Sequence, residues 1–119
     1  AIASDPAHPY GWLYHAKVNA IMDPKSESDS TKIFYEKFYS LAINDKDTYR
    51  RDLVVAGKYL AGYYYIKNNM SCSKAWFQFV LDTDPTQSKV KEQLDTDPKI
   101  KAAPVVDFST CASAPAPQQ

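Results

Sequence analysis

Apolar side chains recur at helical spacing over most of this sequence. Within residues 31–43, Phe34, Phe38 and Leu41 fall on one helical face, which predicts an amphipathic helix. The stretch 10–22 predicts an earlier short helix, because its apolar residues are closely spaced and neither glycine nor proline follows its second position. A polar loop joins the two, so they form a first predicted hairpin.

Two further stripes predict a second pair of helices. The first follows a capping residue, Asp47, and ends at Asn68-Asn69, where asparagine tolerates the left-handed backbone that closes many helices. The second starts at Ser71, and because the turn is short the two helices must pack antiparallel. Their apolar positions are Leu53, Gly57, Leu60, Ala61 and Tyr64, followed by Trp76, Phe77, Val80 and Leu81.

Asp-Pro pairs mark the boundaries of these elements. Each pair places a capping carboxylate before a residue suited to the first helical turn. The third pair introduces a fifth predicted helix, residues 86–95, with Val90 and Leu94 facing inward. The pairs are Asp5-Pro6, Asp23-Pro24, Asp84-Pro85 and Asp97-Pro98.

The resulting prediction is an all-α chain with an irregular end. From residue 102 onward alanine, proline, serine and threonine dominate, and Asp107 is the one charged residue. We expect residues 1–9 to be a linker or the close of a preceding repeat, followed by two hairpins at 10–43 and 47–83. A capping helix at 86–95 and a tail at 98–119 complete the chain. Ser4-Asp5-Pro6 reads like the close of such a preceding unit, so we expect a longer parent protein.

Composition narrows the classes of partner. Lysine and arginine total 14, as do aspartate and glutamate, so there is no net charge to attract nucleic acid or an anionic membrane. Nothing in the composition predicts a membrane-inserted segment. Aromatic residues make up 13% of the chain, which predicts an aromatic-rich core.

The sequence contains no recognised catalytic or metal-binding constellation. His8 next to Pro9 is typical of an exposed or capping histidine, and His15 is predicted to face the core. Three isolated glycines exclude a phosphate-binding loop, and the C-terminal aspartates lack the glycine and glutamate of a calcium loop. We therefore expect no enzymatic activity, no cofactor and no metal.

A repeat signature spans the second hairpin. Leucine and a small residue precede a tyrosine at fixed offsets, and a second small residue and an aromatic follow, which resembles the tetratricopeptide repeat. Small residues at these positions let two helices approach closely. Gly57 departs from the family, which often has tryptophan there. The matching residues are Leu60, Ala61, Tyr64, Ser73, Phe77, Val80 and Pro85.

The first hairpin resembles the same family. Trp12 and Ala16 match the opening of a repeat, and Tyr35 and Phe38 match its second helix. Its connection is longer than usual, and His15 and Asn19 stand where leucine and tyrosine are usual. The helix 86–95 resembles the solvating helix that ends such arrays. The whole looks most like the C-terminal repeats of bacterial cell-envelope tetratricopeptide proteins, which implies a cell-envelope or periplasmic location.

The resemblance implies a non-enzymatic scaffold that binds a protein or peptide in a concave groove lined by the first helix of each hairpin. Lys58 and Tyr65, two turns apart on one face, are the foremost candidates. The full set is Leu13, Lys17, Ala20, Lys58, Gly62 and Tyr65. Two alternatives stay open: these positions are tolerated surface on a structural spacer, or the chain is a regulatory or substrate-recruiting domain of a larger enzyme or signalling protein.

A separate hypothesis concerns the C-terminal tail. Val105, Val106 and Phe108 are predicted to dock on an apolar surface of this chain or of a neighbour, so the tail could mediate self-association. Cys72 and Cys111 are either two inert thiols or one long-range disulfide. Export from the cytosol would favour the disulfide.

Overall fold

The computed structural model describes residues 8–24 and 29–112, and all of the regular structure in these residues is helical. The expectations about residues 1–7 fall outside this part of the chain. The helices are α1 (Pro9–Met22), α2 (Ser30–Ala42), α3 (Arg50–Ile66), α4 (Met70–Thr83), α5 (Ser88–Thr96) and α6 (Pro98–Ala102), with 3₁₀ turns at Ile43–Asp45 and Phe108–Thr110. Within the described ranges, no helix has both the length and the apolar character needed to cross a bilayer.

Neighbouring helices pack in chain order. Helix α1 packs on α2, α3 lies between α2 and α4, and both α5 and α6 pack on α4. The largest fully buried side chains of the main core are Phe38, Leu53, Leu60 and Trp76, so helices α2, α3 and α4 supply its centre. A smaller core joins Val54, Val80 and Val90 of α3, α4 and α5.

Small residues set the close approach of α3 and α4. Ser73 is fully buried and its hydroxyl donates to the carbonyl of Ala61 at 2.8 Å. One turn further along, a Cβ atom added to Gly57 would lie 2.7 Å from Val80 Cγ2. A large side chain cannot fit there without moving α4, which is a physical reason for glycine at this position.

The residues of the repeat signature differ in burial. The aliphatic and small members lie in the core, where they set the helix spacing. The aromatic members are partly buried and cover it. Ala16, Leu60, Ala61, Ser73 and Val80 are fully buried, Trp12, Tyr64 and Phe77 are partly buried, and Pro85 is exposed.

Two of the predicted caps of the second hairpin are wrong. Helix α3 begins after Tyr49, and Asp47 forms an ion pair with Arg50 at 2.7 Å. Helix α4 begins after Asn69, whose side chain accepts from the backbone N–H of Cys72, so Ser71 lies inside the helix. The hydrophobic pattern locates a helix more reliably than it locates the first residue of that helix, because several polar side chains near the end can cap it.

The turn between α3 and α4 follows the prediction more closely. Asn68 has φ 64°, the left-handed backbone expected there. The N–H of Asn69 donates to the carbonyl of Tyr64 and that of Asn68 to Tyr65, the hydrogen-bond pattern of a Schellman helix end. The prediction of a left-handed asparagine is confirmed.

The segment after Asp97 is more regular than predicted. The Asp97 side chain accepts from the N–H groups of Lys99 and Ile100 and caps α6, and Ile100 is fully buried. The prediction of an irregular tail from residue 98 is therefore wrong for the first five residues. A single turn of helix carries too few apolar positions to be recognised by periodicity.

A buried tyrosine links α3 to the start of α2. The Tyr63 hydroxyl donates to Asp29 Oδ1 at 2.7 Å, and its ring is only 9% exposed. Burial, and secondly the hydrogen bond and charge of Asp29, raise the pKa of Tyr63 from 10.0 to about 12. The folded protein thus holds this proton more tightly than the unfolded chain does.

This linkage predicts a loss of stability at alkaline pH. Because the folded pKa of Tyr63 lies above the unfolded value, its contribution is complete below pH 10.0 and is lost as the pH rises to about 12. Urea unfolding across this range should show a shallower decline for Tyr63→Phe than for the wild type. Tyr14→Phe, which removes a tyrosine that is 57% exposed, is the control. Equal slopes for all three proteins would contradict this linkage.

Candidate partner-binding surfaces

The predicted groove residues do not all lie on one accessible surface. Lys17 and Lys58 are exposed, and Ala20 and Gly62 are half-buried. Leu13 is wrong as a groove residue, because it is only 5% exposed and packs in the main core. The spacing of the repeat pattern predicted that Leu13 faces the groove, but its side chain packs in the main core instead.

Tyr65 is half-buried and held by the C-terminal helices. Its hydroxyl donates to Asp97 Oδ2 at 2.8 Å, and the Lys99 ammonium lies 5.9 Å from its ring centre. Gln93 also donates to Asp97 Oδ2, so the carboxylate ties α3 to α5 and α6. The Tyr65 hydroxyl is thus engaged within the protein, and Tyr65 does not line the cleft that contains Lys58.

Lys58 belongs to a different surface, an open cleft of about 700 Å³. The cleft lies between the start of α1, the first half of α3 and the turn that precedes α5. We call it the first-helix groove. It is lined by Tyr10, Asp47, Thr48, Arg50, Arg51, Asp52, Val54, Val55, Lys58, Asp84 and Gln87.

The α3 wall of the groove has a regular pattern. Arg51, Val55, Lys58 and Gly62 follow one another at intervals of four, three and four residues, so they form a single stripe on the helix. Val55 is 37% exposed between the two cations. A Cβ atom added to Gly62 would meet nothing within 4 Å, so the backbone is open to contact at that end of the stripe.

Two of the three carboxylates that line the groove are already engaged by neighbouring side chains. Asp47 pairs with Arg50. Asp84 accepts from the hydroxyl of Thr86 at 2.6 Å and the amide of Gln87 at 2.9 Å. These hydrogen bonds, that of the Thr86 hydroxyl first, hold the pKa of Asp84 below its usual value.

The cations on the stripe are available. Neither Arg51 nor Lys58 forms an ion pair with any residue that the structure describes. Asp52, the nearby acid, sits in the first turn of α3, where a negative charge is stabilised by the helix dipole. Among the groove residues that the structure describes, Arg51 and Lys58 are therefore cations without an ion-pair partner, with the apolar surface of Val55 between them and that of Tyr10 across the groove.

A second surface lies where the tail crosses α4. Cys72 and Cys111 form a disulfide with a Cα separation of 5.3 Å, so the alternative of two inert thiols is wrong. The prediction that Val106 and Phe108 dock is confirmed, because both pack against the main core. Val105 does not dock, since it is 84% exposed.

Aromatic contacts hold the tail end in place. The Phe108 ring lies 4.8 Å from Trp76 and 5.6 Å from Phe79, and it stacks parallel to the latter. Tyr39 of α2 completes the cluster. The indole N–H of Trp76 donates to the carbonyl of Cys111 at 3.1 Å, which satisfies both buried groups.

The two histidines do not form a reactive site. His8 caps α1 by accepting from the N–H of Tyr10, in agreement with the capping interpretation. His15 is exposed and lies beside Phe34, so the prediction that it faces the core is wrong. In residues 8–24 and 29–112, His, Cys, Asp and Glu nowhere cluster in a group that could hold a metal ion.

Sequence reasoning missed part of the groove. The spacing of Arg51, Val55 and Lys58 on one helical stripe was visible in the sequence, and extending the stripe from Lys58 toward the N-terminus would have found the first two. Asp84 and Gln87 gave no such signal, because they reach the groove through the tertiary packing of the turn before α5.

Comparison with known proteins adds no relative: no protein-family model, no curated protein sequence and no solved structure matches this chain.

Proposed function

We propose that this chain is the C-terminal part of a larger tetratricopeptide-type scaffold, which binds a protein or peptide partner without catalysing a reaction. The order of two helical hairpins followed by a covering helix supports the proposal. So does the close contact of the two small residues, Ala61 and Ser73, at the positions that the repeat signature requires. The disulfide supports a location in an oxidising compartment such as the periplasm.

The proposal rests on the first-helix groove. In a tetratricopeptide array the first helices of successive hairpins line the binding surface, and this groove has α1, α3 and the approach to α5 as its walls. Its unpaired donors are Arg51 and Lys58, separated by Val55. A matching peptide has an aliphatic or aromatic residue flanked by carboxylates, since each carboxylate can pair with one cation.

The test is selection of peptides followed by charge reversal. Peptides from a random displayed library are selected on the purified disulfide-bonded protein, and their affinity is measured by calorimetry. We expect acidic peptides with a central apolar residue. Lys58→Glu should weaken their binding at least about tenfold, which corresponds to about 1.4 kcal/mol.

Lys101→Glu is the matched control, because Lys101 is exposed on α6 and lies outside the groove. It should leave affinity within about twofold of the wild type, and rising salt should weaken binding to the wild type more than to Lys58→Glu. Selection of peptides without acidic residues, or equal affinity for Lys58→Glu and the wild type, would refute the groove as the binding site.

A further inference from the structure

Helix α1 leaves apolar side chains uncovered on one side. Tyr14 is 57% exposed and Val18 is 38% exposed. One helical turn apart, they lie on the side of α1 that faces away from Leu13 and Ala16, which pack in the main core. We call Tyr14 and Val18 the uncovered pair.

Helix α3 supplies the matching positions in the second hairpin. Ala16 of α1 and Ala61 of α3 hold the same place in the repeat signature, and both side chains are fully buried. Counted along the sequence from these two alanines, the uncovered pair of α1 corresponds to Tyr59 and Tyr63 of α3. The same two positions can therefore be compared in both hairpins.

On α3 these positions are covered by α2, the second helix of the preceding hairpin. The ring of Tyr59 lies 4.8 Å from that of Tyr35. The hydroxyl of Tyr63 donates at 2.7 Å to Asp29, at the start of α2, and the Lys32 ammonium lies 5.7 Å from the Tyr63 ring. The structure thus shows what covers this side of a first helix: the second helix of the hairpin before it.

The size of the surface favours an occupant in the same polypeptide. Helix α1 has 14 residues. Two side chains on it are too small a patch for a stable contact between separate proteins, which buries more than about 1,000 Å². A covalently linked hairpin needs less contact area, because its effective concentration is high. A second copy of the chain is less suited, because its α2 already packs on α1 and α3.

We propose that Tyr14 and Val18 are the docking surface for a further helical hairpin that precedes α1 in the same polypeptide, with its second helix packed on α1 as α2 packs on α3. The inference rests on the proposed function, because a repeat array places such a hairpin beside α1. It adds the chemistry of the junction. The docking helix presents an aromatic side chain to Tyr14, as Tyr35 does to Tyr59, and an apolar one to Val18, which cannot use a carboxylate as Tyr63 does.

Hydroxyl-radical footprinting of the parent protein and of residues 1–119 alone tests this junction. Tyr14 should be oxidised at least about twofold more slowly in the parent, since its counterpart Tyr59 is half-buried beside Tyr35. Ile66 is the internal control. It is 68% exposed at the end of α3 and should react equally in both proteins.

Two variants of the parent separate the junction from other surfaces. Val18→Asp puts a carboxylate into the apolar contact and should bring the oxidation rate of Tyr14 to that of residues 1–119 alone, whereas Ile66→Asp should leave Tyr14 protected. Equal oxidation of Tyr14 in the two wild-type proteins, or protection that Val18→Asp does not change, would overturn the proposal. Protection that grows with the concentration of residues 1–119 alone would assign the surface to a second copy and overturn it as well.

Failure of this inference is distinguishable from failure of the proposed function. Peptide selection in the first-helix groove is carried out on residues 1–119 and depends on Lys58, which lies outside the uncovered pair. Unprotected Tyr14 together with acidic peptides that require Lys58 would reject the junction and leave the groove intact.

Discussion

Replacing both Cys72 and Cys111 by serine should lower the free energy of unfolding by about 3 to 4 kcal/mol. The disulfide closes a loop with a sequence separation of 39 residues, which restricts the unfolded chain. It also joins α4 to the tail segment whose Phe108 packs on Trp76, so its loss reaches the main core. Urea unfolding followed by circular dichroism measures the change.

The control for this prediction is chemical reduction of the wild type. Reduction breaks the same bond without changing a side chain at either position, so both proteins should unfold at a similar urea concentration. The tail should also loosen in both, and the hydrogen that Trp76 donates to Cys111 should exchange faster with solvent. A loss below about 1 kcal/mol would show that the tail adds little to the folded state.

Gly57→Ala should lower the free energy of unfolding by about 1 to 3 kcal/mol, although alanine is the better helix former. The added methyl group would lie 2.7 Å from Val80 Cγ2 and 3.2 Å from the ring of Phe79. Both are side-chain atoms of α4 and Val80 is fully buried, so relief requires the Val80 side chain to shift in the core or α3 and α4 to separate. That separation would also strain the contact between Ser73 and Ala61.

Gly62→Ala is the matched control on the same helix. A Cβ atom there would meet nothing within 4 Å, so the substitution should raise stability by about 0.5 to 1 kcal/mol through the higher helix propensity of alanine. Urea unfolding of the two variants should therefore give changes of opposite sign. Equal changes in the same direction would mean that helix propensity, rather than the spacing of α3 and α4, decides the effect of glycine on this helix.

The second hairpin was predictable because its pattern is local. The apolar stripe of α3, which includes Leu60, and that of α4, which includes Trp76, each recur at helical spacing, and the turn at Asn68 needs only a residue that tolerates a left-handed backbone. The role of Gly57 was not predictable in the same way. The sequence shows only the absence of a side chain, whereas the reason for it is the position of Val80 on another helix.

The tail was predictable only in part. Phe108 and Val106 are the kind of side chains that must be covered, and the structure buries them against the main core. Val105 is 84% exposed, because the register of the tail on α4 is set by the surface beneath it, which the residue types alone do not show. The short helix α6 depends on the local cap from Asp97, which the Asp-Pro pair predicts, and on burial of Ile100, which is a tertiary fact.

The structure separates the residues that were predicted to share a groove. Lys58 lies in the first-helix groove, whereas Leu13 is buried and Tyr65 is tied to Asp97. Offsets within a repeat fix the position of a residue around its helix. They do not fix whether residues that follow along the chain contact it, as Asp97 and Lys99 contact Tyr65.

The most direct test of the proposed binding role is site-specific crosslinking in the first-helix groove. A photoreactive benzoylphenylalanine replaces Val55 in one protein and Ile33, which is 56% exposed on α2, in another. Each is irradiated with the tightest acidic peptide from the library, and the products are mapped by mass spectrometry. The proposal predicts a crosslink from position 55 that disappears when Lys58→Glu is added, and none from position 33. Equal crosslinking from both positions, or a crosslink at 55 that survives Lys58→Glu, would contradict it.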